Sequence, residues 1–254
     1  MSMNLDVVRD RASERLGQRL RDGHARQQSA RRAYALIRSA IRTGDLPQDA
    51  QLCEDRLVRD LDISRNAIRS ALQKLGGDGI VMRRPRVGTV VVSQIGQFPV
   101  FECSETFTPN ERTDVALVLI DTLDVPATAY LSAKLGDDVA TFRMSEFLIM
   151  VGEEVIGIFS RYGRCEAPAL EQPAPALTGP ERTWYRRIYG EAPGAVDATI
   201  EAVAADDRTA RLLGAGPGHP LLVRETLYRD RTLNPVELHY CFFDSRRAAL
   251  RASA

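Results

Sequence analysis

The sequence predicts an α+β protein in two parts, and three observations carry that reading. The stretch Asp62–Leu75 places Ala67, Ile68, Ala71, Leu72 and Leu75 on one face at helical spacing, with Arg65, Asn66, Arg69 and Gln73 largely on another. The charge is divided along the chain. Residues 1–92 hold 18 Lys and Arg against 11 Asp and Glu, a net of +7, and the remainder holds 16 against 23, a net of −7. Beyond about residue 105 the apolar residues fall into long paired runs, as antiparallel hairpins require, with short helical patterns between them. A basic part joined to an acidic part points to a polyanion-binding module followed by a domain with another task.

The elements follow in order. Residues 1–27 form a basic extension in which Leu5, Val8, Ala12, Leu16 and Leu20 recur at helical spacing, an added helix or a disordered arm. Residues 28–92 form the first domain. Its first helix, 28–43, buries Ala33, Leu36, Ile37, Ala40 and Ile41 and ends at Gly44-Asp45-Leu46-Pro47. A second helix covers about 54–61, with Leu57, Val58 and Leu61 inward. Asp62-Ile63 turns the chain, Ser64 caps the third helix, and Gly76-Gly77-Asp78-Gly79 breaks it. Two short helices at a tight turn, arginines on the second, make a helix-turn-helix. Residues 80–84 and 89–92 are strands joined by Pro85-Arg86-Val87-Gly88, a basic hairpin or wing.

Residues 93–104 read as a linker and 105–254 as the second domain. There the pattern gives a strand at Val115–Ile120, a helix over about 127–135, a hairpin of Val139–Met150 and Glu154–Tyr162, and a loop containing Pro168, Pro173, Pro175 and Pro180. A short helix at Trp184–Gly190, a strand at Ala195–Val203 and a helix at Asp206–Leu213 follow. Leu221–Arg229 and Pro235–Phe243 make a second hairpin. No apolar run is long enough to span a membrane, and Ala127–Leu135 is short and carries Lys134. Cys53, Cys103, Cys165 and Cys241 are scattered without metal-type spacing, so a reduced cytoplasmic setting without a metal or cofactor is expected.

The order Ile37, Ile41, Gly44-Asp45-Leu46, Leu52, Glu54, Leu57, Ser64-Arg65, Ile68-Arg69, Ala71-Leu72, Leu75, Gly79-Ile80, Gly88-Thr89 resembles the winged helix-turn-helix of the GntR family of bacterial transcription regulators. The resemblance implies that Arg65, Asn66 and Arg69 meet operator DNA and that Gly88 enters the minor groove. Ser64, Arg56, Arg84, Arg86 and Thr89 complete the expected DNA-binding set. Two positions depart: Asp55 stands where the family has Arg, with Arg56 next, and Arg86 stands where the wing has its first Gly.

The second domain resembles the UTRA ligand-sensing domain of the HutC branch, which shares a fold with chorismate lyase. Arg143, Gly152-Glu153, Tyr189-Gly190, Glu201-Ala202, Ala210–Leu213, Pro220–Leu222 and Asn234–Glu237 carry this likeness. It implies a small-molecule effector held between the two hairpins. Strand alternation puts Glu237, His239, Cys241 and Phe243 on one face of the last strand, and by resemblance Glu237 and Phe243 line the pocket. The positions that hold a phosphate in relatives fall on Glu146 and Leu148, and a carboxylate there repels a dianion. The expected effector is therefore not a sugar phosphate. Ser160, Tyr162, Arg224 and His239 complete the candidate set.

Together these imply a ligand-responsive regulator, a homodimer on a palindromic duplex, working as a repressor without catalysis. His24, His219 and His239 lie far apart and accompany no nucleophile or phosphate-loop motif. One alternative is a chorismate-lyase-like enzyme with a DNA-binding appendage. Another is a redox-tuned repressor working through Cys53, since a helix N-terminus favours a thiolate.

Overall fold

The structure is a computed structural model that describes residues 29–100, 115–136, 138–166 and 184–252. The extension 1–27 and the proline-rich loop lie outside the described residues. The chain divides into two units at Gln94 and Ile95.

In the first unit, helix α1 (Ala30–Thr43) starts where Ser29 accepts a hydrogen bond from the Arg32 amide at 3.2 Å. It stops at Gly44, whose φ of 87° only glycine adopts without cost. Ala33, Ile37 and Ile41 are buried, whereas Leu36, expected inside, is exposed. Helix α2 (Glu54–Leu61) buries Leu57, leaving Val58 and Leu61 at its margin. Cys53 precedes α2, exposed and making no side-chain capping bond.

Helix α3 (Arg65–Gly77) buries all five expected residues, Ala67, Ile68, Ala71, Leu72 and Leu75. It does not break at Gly76-Gly77. Both glycines stay helical, and the break falls on Gly79, where φ reaches 69°. Strand β1 (Gln51–Leu52) pairs with β3 (Gly88–Val91), which pairs with β2 (Val81–Arg84), giving the sheet order β1-β3-β2. β1 is two residues long and carries no local signal.

The second unit is built on a six-stranded antiparallel sheet of order β5-β6-β7-β10-β9-β8. Its strands are β5 (Val115–Pro126), β6 (Thr141–Val151), β7 (Glu154–Arg164), β8 (Ala195–Ala204), β9 (Pro220–Arg229) and β10 (Pro235–Asp244). Helices α4 (Ala129–Leu135), α5 (Trp184–Tyr189) and α6 (Asp207–Leu212) lie between them in sequence. Thr128 caps α4 and Asp206 caps α6.

β5 runs six residues past its expected end at Ile120. Its second half, with Asp121-Thr122-Leu123-Asp124, lies exposed on an edge strand, and a bulge between Leu119 and Asp121 interrupts the ladder. The expected linker 93–104 is not all connection. Gly96–Pro99 forms β4, which pairs in parallel with β11 (Ala248–Arg251). Phe98 of β4 stacks on Phe243 with ring centroids 4.9 Å apart.

Candidate nucleic-acid interface and ligand-binding face

The first site is the outer face of α3 with the β2–β3 wing. The Ser64 side chain accepts from the Ala67 amide at 3.4 Å, which aims the first turn of α3 outward. Arg65, Asn66 and Arg69 are exposed there. Both arginines are met by acids from the first turn of α2, Arg65 Nη2 by Asp55 Oδ1 at 2.5 Å and Arg69 Nε by Glu54 Oε2 at 2.8 Å. Arg56 is exposed on α2 and pairs with Asp60 at 3.2 Å.

In the wing, Arg84 stands 3.7 Å from Asp49. Arg86 adopts φ 63° and Gly88 φ 100°. The Arg86 position therefore needs the left-handed backbone that a glycine takes freely, and arginine holds it at a cost of about 1 kcal/mol or more. Val87 N–H bonds back to Arg84 at 3.3 Å, and the Gln51 side chain donates to the Val87 carbonyl, closing the turn. Thr89 is half-buried. A groove of about 500 Å³ lies between α3 and the hairpin, bordered by Arg69, Gln73, Arg83 and Thr89. Arg83, which the sequence reading did not single out, alternates with exposed Arg84 and borders this groove.

The second site is on the six-stranded sheet. Ladder registry pairs His239 with Arg161 and Thr226, Cys241 with Phe159 and Arg224, and Arg161 with Ser145. Residues paired across a ladder share a face, so one face carries Glu237, His239, Phe243, Arg161, Arg224, Arg143, Ser145 and Phe147. The same registry places Ser160 opposite Tyr240 and Glu146, and Leu148 opposite Ile158, on the other face. The eight expected effector residues are thus split. Arg224, Glu237, His239 and Phe243 come together, and Glu146, Leu148, Ser160 and Tyr162 lie behind the sheet from them. A bulge between Ile149 and Met150 shifts the first hairpin by one residue, and a one-residue shift exchanges faces.

Glu146 is bound by the Arg208 guanidinium through two hydrogen bonds, so it is not a lone carboxylate facing a ligand. Its expected role against a phosphate does not apply on the Glu237 face, where β6 presents Arg143, Ser145 and Phe147. Behind the sheet, Tyr130 and Tyr240 hydroxyls and Lys134 Nζ all hold Glu225, at 2.9, 2.7 and 2.7 Å. Burial raises that carboxyl, but the Lys134, Tyr240 and Tyr130 hydrogen bonds carry it below its ordinary pKa.

On the Glu237 face a buried polar network forms the floor. Arg161 makes a two-pronged ion pair with Glu237, Nε donating to Oε2 at 2.6 Å. The Tyr189 hydroxyl donates to Glu237 Oε1 at 2.5 Å, and His239 Nε2 lies 2.9 Å from Oε2. Burial pushes the Glu237 carboxyl up, yet the His239 and Arg161 hydrogen bonds and the guanidinium charge bring it below the usual value. Burial drives the His239 pKa down to about 4, with Glu237 opposing in part. Burial and the Glu237 charge hold the Tyr189 hydroxyl protonated far above its usual range.

Arg224 donates to the Pro99 carbonyl at 2.6 Å and to Cys241 Sγ at 3.1 Å, and sits 5.8 Å from the Phe243 ring centre. Burial raises the Cys241 thiol. A groove of about 350 Å³ opens beside this floor, lined by Leu119, Leu123 and Phe147 on its apolar side and by Thr122, Ser145, Asp124, Arg143 and Arg161 on its polar side. Arg143 Nε bonds Asp124 at 3.1 Å and Thr122 bonds Ser145 at 3.2 Å. The sequence reading passed over Arg161 for its neighbours Ser160 and Tyr162. An arginine two residues beyond the apolar run Ile156–Phe159, on the same strand face as Phe159, is the signal that demands a buried acid.

A basic winged helix-turn-helix followed by an antiparallel sheet with a lined groove defines a class, the transcription regulators that carry a DNA-binding module and a sensing domain. Residues 29–91 match the gntR family of bacterial regulatory proteins, and residues 166–248 match the UTRA domain. The chain thus joins a unit similar to the gntR-family regulators to one similar to the UTRA domain. The first of these models describes regulatory proteins, which favours a regulator over the lyase-like alternative.

An HTH-type transcriptional regulator from the ttuE–ttuC′ intergenic region of Agrobacterium vitis is 30% identical over 105 residues, covering 41% of this chain and 60% of that relative's own length. Among solved structures, PhnF from Mycobacterium smegmatis superposes with a TM-score of 0.57 at 21% identity, covering 82% of this chain and 92% of PhnF. YydK from Bacillus subtilis strain 168 superposes at 0.50 and 15% identity, over 89% of this chain and 98% of YydK. At these identities both show a shared fold. No helix among the described residues is long and apolar enough to cross a membrane.

Proposed function

We propose that this protein is a cytoplasmic, effector-responsive repressor that binds a palindromic duplex as a homodimer. The carrying observation is the outward face of α3, where a capped first turn presents Arg65, Asn66 and Arg69 beside a wing bearing Arg83, Arg84 and Arg86. This is the geometry by which a recognition helix enters the major groove while a hairpin reaches the neighbouring backbone and minor groove. Arg65→Ala and Arg69→Ala are each expected to weaken binding to duplex from the chain's own promoter by about 1–3 kcal/mol, read by fluorescence anisotropy. Unchanged affinity in both variants removes α3 from the interface.

The effector site in this reading is the groove on the Glu237 face. Both guanidiniums at its border already have carboxylate partners, Arg161 with Glu237 and Arg143 with Asp124. A phosphate dianion brought there meets no uncompensated cation. A neutral ligand with hydroxyls for Ser145 and Thr122 and an apolar side for Leu119, Leu123 and Phe147 fits this lining. The ligand acts by preferring one arrangement of the dimer. A thermal-shift panel of sugar phosphates, free sugars, nucleosides and apolar acids tests it. Stabilisation by sugar phosphates alone overturns the charge argument.

A further inference from the structure

The two ion pairs on the outer face of the helix-turn-helix are poor stability devices. Their side chains are 36–60% exposed, and exposed pairs contribute about 0–1 kcal/mol. What they change is the charge that α3 presents. Asp55 and Glu54 cancel the two arginines that the face offers to a polyanion, while Arg83 and Arg86 of the wing carry no such acid in the described contacts. We propose that Glu54 and Asp55 are specificity-determining residues, which hold Arg69 and Arg65 for base reading and withhold them from the phosphate backbone.

The proposal rests on reading this face as the DNA interface. The geometry supports a division of labour. Glu54 engages Arg69 through Nε, and neither terminal nitrogen of the guanidinium takes part in that hydrogen bond. Those two nitrogens form the fork that meets O6 and N7 of a guanine. Asp55 takes one Nη2 hydrogen of Arg65 and restricts where that fork points. Against a phosphate the same pairs are close to neutral, and a carboxylate beside a phosphate repels it. Non-operator duplex offers mainly phosphates, so the acids weaken that competition more than they weaken a matched site. Attraction to any duplex is left to the wing.

The test compares the full chain with its Glu54→Gln/Asp55→Asn variant, and with Asp55→Asn alone should the double variant melt early. A random-sequence duplex of about 30 base pairs is titrated between 50 and 200 mM salt, and a randomised duplex pool is enriched on each protein. The expected result is random-duplex affinity raised about tenfold, with a salt slope steeper by about one to two units per DNA-binding head. The enriched sequences are expected to be less sharply defined at the bases read from α3. Equal or weaker random-duplex affinity with an unchanged slope overturns the proposal, and shows that the acids only support the start of α2. An Arg65→Gln/Arg69→Gln variant separates the two readings. If it binds like the parent, the DNA face itself is misassigned. If it loses affinity while the acid variant stays unchanged, only the proposal fails.

Discussion

Glu237→Ala is expected to cost on the order of 3–5 kcal/mol of folding stability, the largest effect of any single change considered for this chain. The carboxylate is fully buried and receives Arg161, Tyr189 and the His239 ring at once. Removing it leaves a guanidinium that is itself 6% exposed without its counter-charge, and strips the Tyr189 hydroxyl of its acceptor. Chemical denaturation at pH 7.5 reads the cost directly. Arg161→Met/Glu237→Leu provides the contrast. Removing both charges spares their desolvation, so the double variant is expected to be far less damaged than either single one. A Glu237→Ala cost below about 1 kcal/mol rules out the pair as a structural anchor. The residue expected from sequence to meet effector is in this state committed to the protein's own interior.

Acid lability is the second large effect. His239 is held down at about 4 against an ordinary 6.5, because it is wholly buried. Between those values the unfolded chain binds a proton that the folded chain refuses, so stability falls as pH falls through the window. The shift of about 2.5 units corresponds to about 3 kcal/mol lost by pH 4, of which about 2 is gone at pH 5. Glu237 acts in the same direction lower down, since its folded pKa lies below its unfolded one and its contribution is lost as it protonates. Urea unfolding of the full chain at pH 7.5 and pH 5, with and without His239→Gln, measures it. The variant is expected to lose most of the difference. An equal loss in both proteins assigns the acid sensitivity elsewhere.

The first domain was largely readable because its signals are local. Ser64, the five buried positions of α3 and the arginines opposite them all lie within about three helical turns. Gly76 and Gly77 misled, since glycine permits a helix to end without requiring it. Arg86 shows the converse, a left-handed backbone position without the residue that usually marks it. In the second domain the strands were legible from alternation, but the face of each residue was not. The resemblance put Glu146 and Leu148 in the pocket with Glu237, and the ladder registry, set by pairings far apart in sequence, places them behind the sheet from it. Partnerships such as Arg161 with Glu237 span 76 residues and leave no trace in periodicity.

The parallel pairing of Gly96–Pro99 with Ala248–Arg251 closes the second unit like a clasp, joining residues some 150 apart in the chain. Its consequence concerns where that unit can be cut out. A fragment begun at residue 105 discards the partner of β11, the ring that covers Phe243 and the carbonyl that receives Arg224. It bares a strand edge and strands a buried guanidinium. A fragment that keeps these contacts begins at Ile95, so the short run that looks like spare connector belongs to the second unit's own packing.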